Sequence, residues 1–359
     1  MVSKYKKLNY KFLYIFFAFL SLNIFFFSTE KVEGKAFNID NIEISEPFKI
    51  NFNKNKVIDD GFEKAFIKLI RLTLNSQDQK KIKNIKLNVI KGMIESFSIK
   101  EEKFIDEVYY VNLGVSFNKK KVFKYLENRN IFPSVPLKKK ILFIPIIIDE
   151  KKKDLLIFNN NKFFDEWNLE NENTNLLEYI LPSEDLEDLN LIKSKFDSIE
   201  EYDFKEIRNK YYLDDSIISL FFKNNNEIRI LSRISIKENV ILKNQSFKNI
   251  DISDTSKIKD IINFLKIDYE DYWKTSNQIN TSIRLVINIK IKNFDNNEIL
   301  KFENMLNKIE FVNNFFIYKF DKEYIYYQII FNGTQKNFLK TMKENKYNLN
   351  TQNKIWILK

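Results

Sequence analysis

The sequence predicts an α+β protein of two to three small α/β sandwich units, on three observations. Apolar residues repeat every second position in some stretches and every third or fourth in others, which separates strands from helices. The run Ile141–Ile148, ILFIPIII, is apolar throughout, as a strand covered on both faces is. Residues 281–358 read strand, helix, strand, strand, helix, strand, a ferredoxin-like βαββαβ order. The boundaries that follow are 1–36, a signal peptide or N-terminal anchor; 37–140, an N-terminal α+β domain; 141–250, a middle α/β domain; and 251–359, a helix plus the ferredoxin-like domain.

Residues 1–36 set the compartment. Lys4, Lys6, Lys7 and Lys11 flank or precede the uncharged apolar run Phe12–Phe27, and Gly34-Lys35-Ala36 offers a small-residue step. A positive stretch, an apolar stretch and a small-residue site form the layout of a secretory signal. The positive-inside bias points the rest of the chain away from the cytoplasm. Three readings stay open: a cleaved leader, a retained anchor slightly short of the roughly 17–25 residues a spanning helix takes, or a buried helix. The first two place the body in the periplasm or at the membrane facing it, with membrane contact only through residues 12–27.

Composition excludes more than it selects. The chain has neither Cys nor His, which removes disulfides, thiolate nucleophiles, histidine bases and ordinary zinc or copper sites. Acid–base work would fall to Asp, Glu, Lys or Tyr, whose ordinary pKa values lie far from neutrality. Five glycines, at 34, 61, 92, 114 and 333, spell neither a Walker loop nor a dinucleotide fingerprint, so no cofactor is expected. The net charge of +10 shrinks to +6 once the six lysines and two glutamates of residues 1–36 are set aside. Other lysines interleave with acids, apart from Lys119–Lys121 and Lys138–Lys140, which points to a solvated surface and no nucleic-acid partner.

The elements follow in order. Phe37–Ser45, FNIDNIEIS, places Phe37 and Ile39 on one side of a pleat and Ile42 and Ile44 on the other, an edge strand, with another short strand expected after Pro47. Phe62, Ala65, Phe66, Leu69, Ile70 and Thr73 share one helical face, with Asp59 or Asp60 as N-cap. A helix over Gln79–Lys91 gathers Ile82, Ile85, Val89 and Ile90 and stops at Gly92. Ile94–Phe104 and Glu107–Phe117 form a hairpin, followed by a helix over Lys119–Arg129 that Pro133 and Pro136 end. Pro145 inside Ile141–Ile148 marks a strand end, an edge or a bulge. Helices near Leu186–Phe196 and Phe204–Lys210 lead to strands Ser216–Phe222 and Glu227–Ile236, joined over Lys223–Asn226. Ser256 caps a helix that carries Ile258, Ile261, Ile262 and Leu265 on one face and runs to Trp273. Strand Thr281–Ile291, helix Asn296–Lys308, strands Val312–Phe320 and Tyr324–Phe331, helix Thr334–Glu344 and strand Lys354–Leu358 complete the βαββαβ order.

Scattered residues over roughly 40–240 carry a resemblance. They are Ala65-Phe66 and Arg71, Tyr109-Tyr110 and Phe117, Leu126, Pro145, LLIFNNNKFFDEW to Trp167, EYILPSEDLEDL with Pro182, Asp185 and Asp188, and KYYLDDSIISLFF from Lys210. Together they resemble the bacterial envelope family known only as domain of unknown function twenty sixty-six. Glu184 stands where that family usually has Gly, and Tyr212-Leu213 replace small residues, so a tight backbone approach there is in question. The resemblance implies fold and export; the family has no established activity to carry over.

Candidate chemistry is sparse. Ser-x-x-Lys occurs at Ser116–Lys119 and Ser256–Lys259, expected by chance in a lysine-rich chain, with a strand end and a helix cap as the plainer roles. Glu184, Asp185, Glu187 and Asp188 after Pro182 supply acids at i, i+3, within the roughly 5–10 Å that paired carboxyls of a glycosidase need, or oxygen ligands for a calcium site. The plainer role is a helix start whose acids favour the macrodipole. Asp214-Asp215 reads as a turn into a strand. Trp167, in a polar segment beside Asp165 and Glu166, is the tryptophan placed as a sugar or protein platform. Trp167, Asp185 and Asp188 are thus the candidate interaction residues. The expected function is a non-catalytic interaction or assembly module whose partners are other envelope proteins. A carboxylate-dependent hydrolase of an envelope polymer and a binder of polyanions or anionic lipid are the alternatives.

Overall fold

A computed structural model describes residues 37–169, 176–224, 227–237, 239–280, 283–292, 296–309 and 311–358. The expected leader lies outside them. Among the described residues no helix is long and apolar enough to cross a membrane. The chain is α+β, and its described strands form three sheets.

The first sheet is antiparallel, in the order β1 (Asn38–Pro47), β3 (Val108–Phe117), β2 (Ile94–Ile105). β1 resolves the broken alternation of FNIDNIEIS. A bulge between Ile39 and Ile42, with Asn41 in the left-handed region at φ 57°, shifts the phase so that Phe37, Ile39, Ile42 and Ile44 are all buried. The stretch after Pro47 is loop, not the expected strand. Asp106 and Glu107, both left-handed, make the tight turn from β2 to β3. Over one face lies α1 (Lys54–Thr73), which starts earlier than Asp59 because Asn53 caps it, its side chain accepting from the Asn55 and Lys56 N–H groups. Gly61 permits the contact with the sheet, since a Cβ there would collide with Leu113. The helix expected over Gln79–Lys91 is two: α2 (Ser76–Lys81), capped by Asn75, and α3 (Leu87–Met93). α4 (Lys119–Glu127) follows, capped by Asn118.

The second sheet runs β5 (Asp154–Leu156), β4 (Lys139–Asp149), β7 (Ser216–Asn224), β8 (Glu227–Ile236), β9 (Asn239–Lys248), with β6 (Leu177–Ile180) also paired to β4. β6 pairs with residues 139–142 of β4 and β5 with 147–149, so Pro145 falls in the unpaired gap between them and its missing N–H costs no ladder bond. Both faces are covered. Phe143 and Ile147 pack against α5 (Lys162–Glu166) and α8 (Thr255–Ser276). Leu142, Ile144, Ile146 and Ile148 pack against α6 (Leu186–Ser194) and α7 (Lys205–Lys210). α8 is capped by Asp254, not Ser256. It belongs with this sheet rather than with the C-terminal domain: Ile258, Ile261, Ile262, Leu265, Tyr269 and Trp273 enter the middle core. Its C-terminal half also holds the first unit, because Asp271 accepts from the Ser76 N–H at 2.9 Å and hydroxyl at 2.5 Å, and the Trp273 indole donates to the Leu137 carbonyl at 2.7 Å.

The third sheet runs β11 (Val312–Phe320), β12 (Tyr324–Phe331), β10 (Leu285–Lys292), β14 (Trp356–Leu358), β13 (Leu349–Asn350). α9 (Asn296–Lys308) and α10 (Gln335–Glu344) contribute Phe302, Leu306, Phe338 and Met342 to its core. The expected βαββα portion is present, but the ending departs from a ferredoxin-like order. β14 lies parallel to β10, and the short β13 pairs antiparallel on its outer side. The chain leaving α10 turns back once more before pairing, which left-handed Lys346 and the polar 350–354 segment permit.

Candidate functional site

Asp185 is the N-cap of α6, accepting from the Glu187 N–H at 2.7 Å. One turn on, Asp188 points inward and is almost fully buried. Lys210, at the end of α7, reaches both carboxylates, donating to Asp188 at 2.5 Å and to Asp185 at 3.2 Å. The Glu187 N–H and then the Lys210 ammonium hold the Asp185 carboxyl below its usual range. The hydrogen bond to Asp188, followed by that to Asp185, pushes Lys210 above the ordinary lysine range. The cluster joins two short helices through one cation. It brings together two of the expected residues in a structural clamp whose inner carboxylate a large substrate does not reach.

Trp167 corrects the sequence reading outright. It is fully buried, stacked on Phe143 with ring centroids 3.7 Å apart and set edge-on to Tyr179 at 5.3 Å. The short helix α5 carries it there, and Asn161 fixes that helix. The Asn161 side chain accepts from the Phe163 and Phe164 N–H groups and donates to the carbonyls of Pro145, Leu156 and Ile157, filling the gap beside β4. A ring in this position presents no platform to a sugar. Ser116 lies within β3 and Ser256 donates its N–H to Asp254 inside a helix start, so neither Ser-x-x-Lys pair is assembled as a nucleophile. Asp215 likewise serves structure, taking the Lys237 N–H at 2.9 Å and the Lys139 ammonium at 2.8 Å.

A groove that the periodicity of the sequence does not signal lies beside α1. Splitting the helix expected over Gln79–Lys91 opens a recess of about 480 Å³ against α1. Phe66, Ile70, Ile82 and Ile90 form its buried floor, Ile67 and Ile85 stand at its walls, and Glu63, Arg71, Lys80 and Lys83 rim it. Ile67 is 51% exposed in the middle of α1. An apolar floor with three cations and one carboxylate at the rim accepts an apolar side chain flanked by acidic ones. The signal in the sequence was Ile67 itself, one step off the helical face formed by Phe66 and Ile70. Among the described residues no three carboxylates gather in an arrangement that holds a metal ion. Neither a known protein family nor a curated protein matches this chain.

Proposed function

We propose that the protein is an exported, non-catalytic interaction module that seats an amphipathic, acid-flanked helix of a partner in the α1–α3 groove. The observation that carries this is the groove: a preformed apolar floor with an exposed isoleucine at its wall and a cationic rim. Helix-in-groove recognition needs apolar anchors at i, i+3 or i+4 and complementary flanking charge. The engaged state of Asp185 and Asp188 supports a module over a hydrolase, since their carboxylates already hold Lys210. The leader pattern of residues 1–36 supports export and makes other envelope proteins the partners.

The test is chemical cross-linking in intact cells with a tagged chain, wild type against the double variant Ile67→Asp, Ile85→Asp. Ile67 is half exposed whereas Ile85 is partly buried and packs against the core, so a melting curve checks that the double variant folds and Ile67→Asp alone serves in its place where it does not. A discrete adduct in the wild type that disappears in a folded variant supports the reading. An identical adduct pattern in both, or none in either, overturns it.

A further inference from the structure

The helix-covered side of the third sheet is ordinary core; its other side is not. Ile287, Ile289, Tyr327, Ile329 and Phe331 face the helices and are buried. The alternation of β10, β11 and β12 therefore turns Val286, Asn288, Lys290 and Lys292, Phe316, and Tyr324, Tyr326, Gln328 and Ile330 to the open side. Phe316 and Tyr318 are 43% and 42% exposed, which for large rings on a strand is a surface without a cover. Tyr318 lies 6.1 Å from Tyr326, and Tyr324 6.4 Å from Tyr326, so the rings form a continuous patch.

The strands of this side carry cations, and the one described carboxylate that touches its rings is Asp321 at the hairpin tip. β10, β11 and β12 contain Lys290, Lys292 and Lys319 and no carboxylate. Lys290 sits over the Tyr324 ring at 4.1 Å and Lys319 over Tyr326 at 4.8 Å, which keeps the ammonium groups on the patch. The nearby Asp321 is committed to the hairpin tip, accepting from the Tyr326 hydroxyl at 2.9 Å and from the Glu323 and Tyr324 N–H groups. Asn288 and Gln328, hydrogen-bonded across the strands at 3.2 Å, add amides between the rings.

From this juxtaposition we infer that the open face of the third sheet binds an acidic polysaccharide strand. The rings stack on the apolar faces of pyranose units, the amides meet hydroxyls, and the lysines meet carboxylate or phosphate groups. An extended polymer suits an open sheet better than a small ligand, which takes an enclosing pocket. Aromatic and basic residues on a sheet also suit single-stranded nucleic acid. The choice of a glycan rests on the export reading of residues 1–36, because a face displayed outside the cytoplasm meets acidic glycans.

The experiment measures binding of the purified chain to polygalacturonate, to neutral dextran and to a fluorescent oligothymidylate across a salt series. The variants are Phe316→Ala with Tyr318→Ala, and Lys290→Gln with Lys319→Gln, each with its melting temperature. Polygalacturonate should bind and dextran should not. The ring variant should weaken binding about tenfold at an unchanged melting temperature, and the lysine variant should flatten the salt dependence. No polygalacturonate binding, binding indifferent to both variants, or a tighter complex with oligothymidylate overturns the glycan assignment. Export is read separately by cell fractionation of the tagged chain, so a cytoplasmic chain and a non-binding sheet give distinguishable failures.

Discussion

The second and third sheets place aromatic residues in opposite situations. In the second, Phe143, Trp167, Tyr179 and Tyr269 pack on one another between β4 and α8, and the other face of the sheet is closed by α6 and α7. In the third, Phe316, Tyr318, Tyr324 and Tyr326 stand on a face that no helix covers. An aromatic in a polar stretch of sequence is thus no guide to exposure. Trp167 has Asp165 and Glu166 beside it and is buried, while the apolar run Phe316–Tyr318 is half open to solvent. What separates the two is the partner face: α8 has an apolar stripe long enough to cover β4, whereas the third sheet packs its core helices on one side and meets α4 on the other through Lys120 at Asn314.

The largest expected break in this comparison is Trp167→Ala. It empties a fully buried stack and should cost about 3–5 kcal/mol in urea unfolding. A loss no larger than that of Tyr318→Ala would mean the two aromatic sets do not differ as described. Asn161→Ala should cost about 2–3 kcal/mol, because it leaves three carbonyls and the Phe163 N–H beside β4 without this partner, while the Phe164 N–H keeps the Asn161 carbonyl. Unfolding curves for Asn161→Asp separate the donors from the acceptors, since the carboxylate keeps the cap and loses the bonds to Pro145, Leu156 and Ile157.

Tyr212→Gly should move the other way. Tyr212 follows α7 with φ 51° and its ring 93% exposed, a position where glycine meets no steric cost. A gain of about 1 kcal/mol is expected; a loss would show that the ring has a packing role. The smallest effect is one of direction. Asp185 has its folded pKa depressed, so its contribution is present above its unfolded pKa, near about 3.9, and fades as pH falls through the folded value. Asp185→Asn should therefore flatten the acid limb of stability against pH and leave the neutral limb unchanged in slope.

Much of the fold was legible because periodicity carries it. The doubly covered β4, the β2–β3 hairpin, the β7–β8 pair and the βαββα order of the third unit all follow from alternation and helical faces. The misses have local causes. The bulge at Asn41 hid a one-faced strand, Asn53 started α1 a turn and a half before the acids, and the break after Ile82 turned one helix into two. The closing strand was misplaced because its direction depends on a turn-back that three residues of β-pattern do not encode. For the site, the acids at 185 and 188 were correctly placed at a helix start, but their engagement by Lys210, 22 residues from Asp188, needed the tertiary fold. Ile67 and the open sheet face passed unnoticed because a solvent-exposed apolar residue reads like any other in one dimension.

The most direct test of the account contrasts the groove with the acidic clamp. A photo-crosslinking residue is introduced at Ile67 in one chain and at Leu186 in another, the latter exposed beside Asp185 and Asp188. Both are irradiated in intact cells. The account predicts a discrete protein adduct from position 67 and none from position 186. An adduct from 186 with none from 67 would contradict it and return the interaction site to the acids.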